Sequence, residues 1–290
     1  MKLYTIVRKD APGQELVAEG TEGGYRVLQG VQDMNALIAS GVSPESLEKG
    51  EFIREDECQV LAPIPRPLQD VVCLGLNYTA HVSEAERFSK EAFGGERPWP
   101  IFFAKRVNEA PGPGAPIPAH EDIVDSLDYE CELGVVIGKD ACGVKKEDAG
   151  SYIFGYTIVN DVSARNLQTR HKQWYFGKSL DGFTPMGPCI VTADEIAFPP
   201  KLPISCSVNG EMRQDSTTEN LITGIGEIIE MLSAGMTLKA GTVIATGTPA
   251  GVGMGMQPPC FLKPQDVVRC EIGGIGVLEN TVVSSLPANR

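Results

Sequence analysis

The chain has 290 residues, with Lys+Arg 25 against Asp+Glu 38, a formal charge of −13 and a pI near 4.8. That length supports one large domain or two small ones with a well-buried core, and 42% hydrophobic with 22% charged residues excludes a disordered chain. The acidity excludes a nucleic-acid binder and a polybasic membrane dock, both of which need surplus Lys and Arg. No apolar run approaches the ~18 residues of a membrane span, and Met1–Asp10 is too charged for a secretory leader. The eight cysteines include no C-x-x-C pair, which argues against a zinc site and leaves reduced, mostly buried thiols in a cytoplasmic protein as the expectation.

Gly 32 and Pro 21 predict many turns and short strands. Leu3–Val7 and Tyr25–Leu28 read as strands and Met34–Ser40 as a helical turn, within a small variable N-terminal region spanning 1–66. Leu61–Leu68 carries alternating prolines and reads as an extended linker to a catalytic region, 67–290. That region opens with a buried-strand pattern, Val71–Asn77, then a helical stretch from Thr79 to Ala92. Asp128–Gly138 and Tyr152–Val159 are strand-like, and Asn209-Gly210 marks a hairpin between Ile204–Val208 and Glu211–Arg213. Leu221, Ile222, Ile225, Ile228, Ile229 and Leu232 recur at helical spacing and predict a core-facing stripe. Strands outnumber helices and come as hairpins, so the predicted class is α+β.

Several familiar motifs fail. Gly177-Lys178-Ser179 lacks the first glycine of a phosphate loop, which falls at Lys172, and His120–Val124 lacks the second His of a zinc-protease helix. In Asp128-Tyr-Glu130-Cys-Glu132, by contrast, the i, i+2 spacing puts Glu130 and Glu132 on one strand face. A half-exposed strand with a polar outer face would show the same pattern. Asp161, closing the strand that starts at Ile153, adds a third carboxylate. Three carboxylates without Cys or His make a hard oxygen site suited to Mg²⁺ or Mn²⁺, with Ca²⁺ also accommodated. His81 and Glu84, three apart in a predicted helix, share a face and suit a general base with its orienting carboxylate; a surface His on an amphipathic helix is the competing reading. A helical turn after Asp161 puts Arg165 and Gln168 on its side, as anchors for a substrate carboxylate. Lys178, amid aromatics and glycines, suits an oxyanion. The glycines of Thr246-Gly-Thr248-Pro-Ala-Gly-Val-Gly253 allow backbone amides to approach a ligand.

Together, Gly75-Leu-Asn-Tyr-Thr-Ala-His81-Val-Ser-Glu84, the Glu130/Glu132 strand, Asp161–Arg165, Gln173–Lys178 and Thr246–Gly253 resemble the fumarylacetoacetate hydrolase family, in the family's order and over about residues 68–285. The resemblance implies a mixed β-sheet roll, usually a homodimer, with Glu130, Glu132 and Asp161 as ligands of Mg²⁺ or Mn²⁺. It implies His81 and Glu84 as a water-activating pair on a lid, and Arg165, Gln168, Lys178 and Thr248 against substrate. The reaction it implies is hydrolysis of a C–C bond in a 2-oxo or 1,3-dicarbonyl acid of acylpyruvate or fumarylpyruvate type. Decarboxylation of oxaloacetate and isomerisation or decarboxylation of a 2-hydroxydienedioate are the enzymatic alternatives, and a metal-dependent binding protein the non-enzymatic one. The chain departs from the family at Asn166 and Gln265, has no Asp between Val71 and His81, and carries a longer lid-to-strand segment over 91–100.

Overall fold

The structure, a computed structural model, describes residues 1–96 and 98–284; Arg97, inside the 91–100 segment, and 285–290, the end of the expected catalytic region, lie outside the described residues. The central strand is Cys131–Ile137, and all seven of its residues are buried. Cys131, Leu133, Val135 and Ile137 enter one hydrophobic core, while Val136 enters a second core on the other face. The half-exposed strand is therefore overturned: layers cover both faces, and each large aliphatic side chain buried there contributes roughly 1.5–3 kcal/mol.

Cys131–Ile137 pairs antiparallel with Ile153–Asn160 on one side and with Val243–Ala245 on the other. Beyond Val243–Ala245 the sheet continues through Val71–Gly75, a parallel neighbour, to Ile101–Lys105. Beyond Ile153–Asn160 it continues through Met186–Thr192 to Lys2–Arg8, Glu15–Thr21, Gly24–Leu28 and Lys49–Arg54. The strands of the first 66 residues thus extend the same sheet, with Leu3 opposite Ile190. A second, five-stranded sheet, built on Pro203–Val208, Glu211–Thr217, Val267–Ile272, Gly276–Val283 and Ile117–Pro118, lays Ile204, Cys206, Val268 and Cys270 on the first core. The helix Ile225–Ser233 covers the same core. The result is the expected α+β class, a mixed, sheet-dominated roll.

Three elements differ from their expected form. The helix from Thr79 ends at Phe88, and a separate turn, Lys90–Phe93, follows. Ser89 breaks them apart: its backbone is extended and its hydroxyl accepts from the Ala92 amide at 3.2 Å. Leu221 and Ile222 precede the helix they were assigned to, and Ile222 is 54% exposed. The proline-rich 61–68 segment is packed rather than free: Ala62 and Ile64 are fully buried, and the Thr5 hydroxyl donates to Pro63 O at 2.7 Å. All eight cysteines are free thiols, with Cys142 and Cys260 exposed and the rest buried. Among the described residues no helix is long and apolar enough to cross a membrane.

Candidate active site

The antiparallel register creates the site. Cys131 stands opposite Asn160, so the residues flanking that pair, Glu130 and Asp161, meet at the end of the ladder. The Asp161 amide donates to Glu130 O at 2.8 Å, and the Asn160 side chain accepts from the Glu130 amide at 3.0 Å. Glu132, one strand repeat on, joins them, and ligand atoms of Glu130, Glu132 and Asp161 lie within 4.8 Å of one another. All three residues are buried.

Two lysines and an arginine face this cluster. Lys178, closing the short helix Tyr175–Lys178, donates to Glu130 Oε2 at 2.9 Å and to Asp161 Oδ2 at 2.7 Å. Lys105, at the end of Ile101–Lys105, bonds the other Asp161 oxygen and Val162 O. Arg165 Nη1 pairs with Glu130 Oε1 at 2.6 Å and donates to Gln168 Oε1 at 3.0 Å, and its Nε donates to Asp128 Oδ2 at 2.9 Å. Its Nη2 has no partner. Burial opposes ionisation of Glu130, but the charges of Lys178 and Arg165 outweigh it and hold the group below the usual carboxylate range.

Glu132 is the exception. Its Oε2 accepts from the Gly247 amide at 2.8 Å, while Oε1 is buried without a partner. Burial, and then the negative charges of Asp161 and Glu130, push its carboxyl well above the usual range. An orphaned oxygen, two further carboxylates and no soft donor in the cluster form a donor set that fits a hard divalent cation. The three residues singled out as ligands are those that would hold it.

His81 and Glu84 lie on the helix Thr79–Phe88, which brings His81 to the cavity beside the cluster. His81 is 3% exposed and shares a cavity with Glu130, Glu132, Arg165, Gln168, Lys178 and Thr248, so the surface-His reading fails. Its Nδ1 lies 3.6 Å from Glu84 Oε2, too far for a hydrogen bond, and has no other partner. Both Glu84 oxygens instead accept from the Gly251 amide at 3.0 Å. The far wall of the cavity is apolar: Leu76, Phe93, Phe103, Trp174 and Met254. Trp174 packs against Phe93 and Phe103 at ring separations of 5.7 and 5.3 Å, and Gly75 leaves it room, since a Cβ there would sit 2.2 Å from the indole.

The Thr246–Gly253 loop works differently from its expected role. Its amides bind the protein's own carboxylates: Gly247 holds Glu132 and Gly251 holds Glu84, while Gly253 and Met254 hold Asp128 at 2.7 and 3.0 Å. Positive φ at Gly247 (100°) and Gly251 (106°) turns those amides inward. Asp128 and Lys105 were missed in the sequence. A lysine closing the apolar strand Ile101-Phe-Phe-Ala-Lys105 was the available signal, and Asp128 stood inside the strand motif already singled out.

The fold and the site together are a mixed-sheet roll whose central ladder ends in a buried carboxylate cluster beside a His-bearing helix. The chain belongs to the fumarylacetoacetate hydrolase family: the family model described as Fumarylacetoacetate (FAA) hydrolase C-terminal matches residues 70–283. It is similar to oxaloacetate tautomerase YisK of Bacillus subtilis, 46% identical over 284 residues, 97% of this chain and 89% of that protein. Among solved structures it is similar to a fumarylacetoacetate hydrolase from Exiguobacterium antarcticum, with TM-score 0.83 and 35% identity over 98% of this chain and 99% of the other. It is also similar to a 2-hydroxyhepta-2,4-diene-1,7-dioate isomerase from Mycobacterium marinum, with TM-score 0.75 and 33% identity over 98% of each chain. Members of the family are enzymes.

Proposed function

We propose that the protein is a divalent-metal-dependent enzyme that interconverts the keto and enol forms of a 2-oxo dicarboxylate of oxaloacetate type, moving the proton on C3. The observation that carries the reading is His81. It is a buried imidazole in the same cavity as the three-carboxylate cluster, with the Glu84 carboxylate 3.6 Å from its Nδ1. Glu130 is held by Lys178 and Arg165, and Glu132 gives one oxygen to the Gly247 amide and belongs to the carboxylate cluster that would hold a metal. The 46% identity with an oxaloacetate tautomerase along nearly the whole chain supports the same chemistry.

Mg²⁺ or Mn²⁺ held by Glu130, Glu132 and Asp161 would supply Lewis acidity toward a 2-oxo acid, lowering the pKa of its C3 proton. The negative charge of Glu84 favours the His81 proton on Nδ1, leaving Nε2 to take a proton from C3 and deliver it to the 2-oxygen, and to carry the same proton back when the enol returns to the ketone. Lys178 is placed to offset negative charge developing on the 2-oxygen. Arg165 Nη2, buried without a partner, is free to hold a substrate carboxylate, with Gln168 fixing the guanidinium. The apolar wall of Phe103, Trp174 and Met254 excludes bulk water and strengthens each of these interactions.

Isomerisation of a 2-hydroxydienedioate is the same proton movement spread over a longer conjugated chain, and the Mycobacterium marinum neighbour supports it as the second reading. Hydrolysis and decarboxylation share the substrate class but need in addition an attacking water or a departing carboxylate. The deciding experiment supplies Mg²⁺-loaded protein with enol-oxaloacetate, a 2-hydroxydienedioate and an acylpyruvate in parallel. It follows enol decay, diene shift, pyruvate formation and C–C cleavage. Fast enol decay without matching pyruvate is the expected result; cleavage of the acylpyruvate with no effect on the enol would replace this reading with a hydrolase.

A further inference from the structure

The ladder between Cys131–Ile137 and Val243–Ala245 stops at Gly134 opposite Ala245. Thr246 carries it one step further, its amide and hydroxyl both donating to Leu133 O. Beyond that point the chain turns away, and the Cys131 peptide, which separates Glu130 from Glu132, would be buried with no strand on that side. A buried unpaired peptide group is costly. Two side chains stand in for the missing strand. Gln214 Oε1 accepts from the Cys131 amide at 3.0 Å, and the Thr248 hydroxyl donates to Cys131 O at 2.9 Å. Gln214 comes from the strand Glu211–Thr217 of the second sheet and is fully buried.

The orientation of the Gln214 amide follows from its partners. A backbone N–H can only donate, so the atom facing Cys131 N must be the oxygen. The NH₂ then faces Thr248 Oγ1 at 2.7 Å and Pro249 O at 2.8 Å, and the latter can only accept. Thr248 thereby receives one hydrogen bond and spends its own proton on Cys131 O, so it keeps a single lone pair and no donor. Thr248 lines the cavity.

We propose that Gln214 is a positioning residue of the active site, which fixes the peptide between Glu130 and Glu132 and makes Thr248 a hydrogen-bond acceptor that selects a hydroxyl on the ligand. This rests on the functional reading above and extends it: an enol carries such a hydroxyl at C2 and a ketone does not.

The test uses Mn²⁺ and two small acids, glycolate, which carries a hydroxyl beside its carboxylate, and oxalate, whose oxygens only accept. Calorimetric titration of the full chain gives the Mn²⁺ affinity first, then the affinity of the Mn²⁺-loaded protein for each acid. Thr248→Val also unpairs Cys131 O and lowers Mn²⁺ affinity; once loaded with Mn²⁺ it is expected to weaken glycolate roughly tenfold more than oxalate, one hydrogen bond. Gln214→Met is expected to lower Mn²⁺ affinity roughly 10–100-fold, the usual effect of removing support from metal ligands, and to lower the glycolate-to-oxalate preference. Should Gln214→Met fail to fold, Thr248→Val still decides the polarity of the hydroxyl, and Gln214→Glu, which keeps the acceptor for the Cys131 amide but loses the donor to Thr248, replaces it: a lowered glycolate-to-oxalate preference supports the role and an unchanged one overturns it. Equal weakening of both acids in Thr248→Val, or unchanged Mn²⁺ affinity and preference in Gln214→Met, overturns the proposal alone. Wild-type protein that binds Mn²⁺ but neither acid overturns the functional reading and the proposal together.

Discussion

Replacing Glu132 by Gln separates the cost of the carboxylate cluster from its use. In metal-free protein the Glu132 carboxyl is pushed well above its usual range, so it resists ionisation. A group raised in this way contributes stability that is present at low pH and is lost as pH climbs past the ordinary carboxyl range. A neutral amide of the same shape has no such loss. Its oxygen can accept from the Gly247 amide as Oε2 does, and its NH₂ then replaces the orphaned Oε1, facing Glu130 and Asp161. Metal-free Glu132→Gln is therefore expected to be at least as stable as wild type at neutral pH, an unusual outcome for a change at a fully buried site. With Mn²⁺ the order reverses. A ligand at a hundred times its dissociation constant stabilises the wild type by about 2.7 kcal/mol, or roughly 5 °C in Tm for a chain of this size. The variant has lost a ligand and gains little. Thermal unfolding in EDTA and in Mn²⁺, at constant pH, reads both. A variant that melts well below wild type in EDTA, or one that keeps the full Mn²⁺ shift, refutes the assignment.

The remaining predictions bear on the cations and the wall. Lys178→Met leaves Glu130 and Asp161 without one of their buried counter-ions and is expected to cost about 3–5 kcal/mol in metal-free protein; urea unfolding measures it, and Mn²⁺ should recover part of the loss. Gly75→Ala drives a methyl into the Trp174 indole, with an expected cost of about 1–3 kcal/mol and a changed near-ultraviolet circular dichroism spectrum; an unchanged spectrum and midpoint would mean the indole is not pinned there.

Local signals were legible in the sequence and long-range ones were not. Asn209-Gly210 gave its hairpin because a two-residue turn with positive φ at both positions demands those residues, and both are found there. The Glu130/Glu132 pair was legible because strand geometry places i and i+2 together. The pairing of Lys2–Arg8 with Met186–Thr192 joins segments nearly two hundred residues apart, and no local pattern encodes it. Glu15–Thr21 and Lys49–Arg54 were missed because neither carries a clear apolar alternation. Lys105 and Gln214 escaped for the same reason as the distant pairing. Gln214 is an ordinary polar residue until the fold sets it against Cys131, and the place of Lys105 at the end of an apolar strand does not name Asp161 as its partner. The Gly-rich loop was recognised by composition, but which groups its amides would hold depended on the helix from Thr79 and on Asp128.

The central claim, that His81 moves a proton at C3 of a 2-oxo dicarboxylate, is tested most directly by exchange of that proton. Oxaloacetate in D₂O with Mg²⁺ is followed by NMR alone, with wild-type protein and with His81→Ala. The account predicts that wild type accelerates deuterium incorporation at C3 and that His81→Ala loses the acceleration by roughly 10²–10⁴-fold while binding Mn²⁺ as wild type does. Exchange no faster than the blank, or acceleration undiminished in His81→Ala, would contradict it.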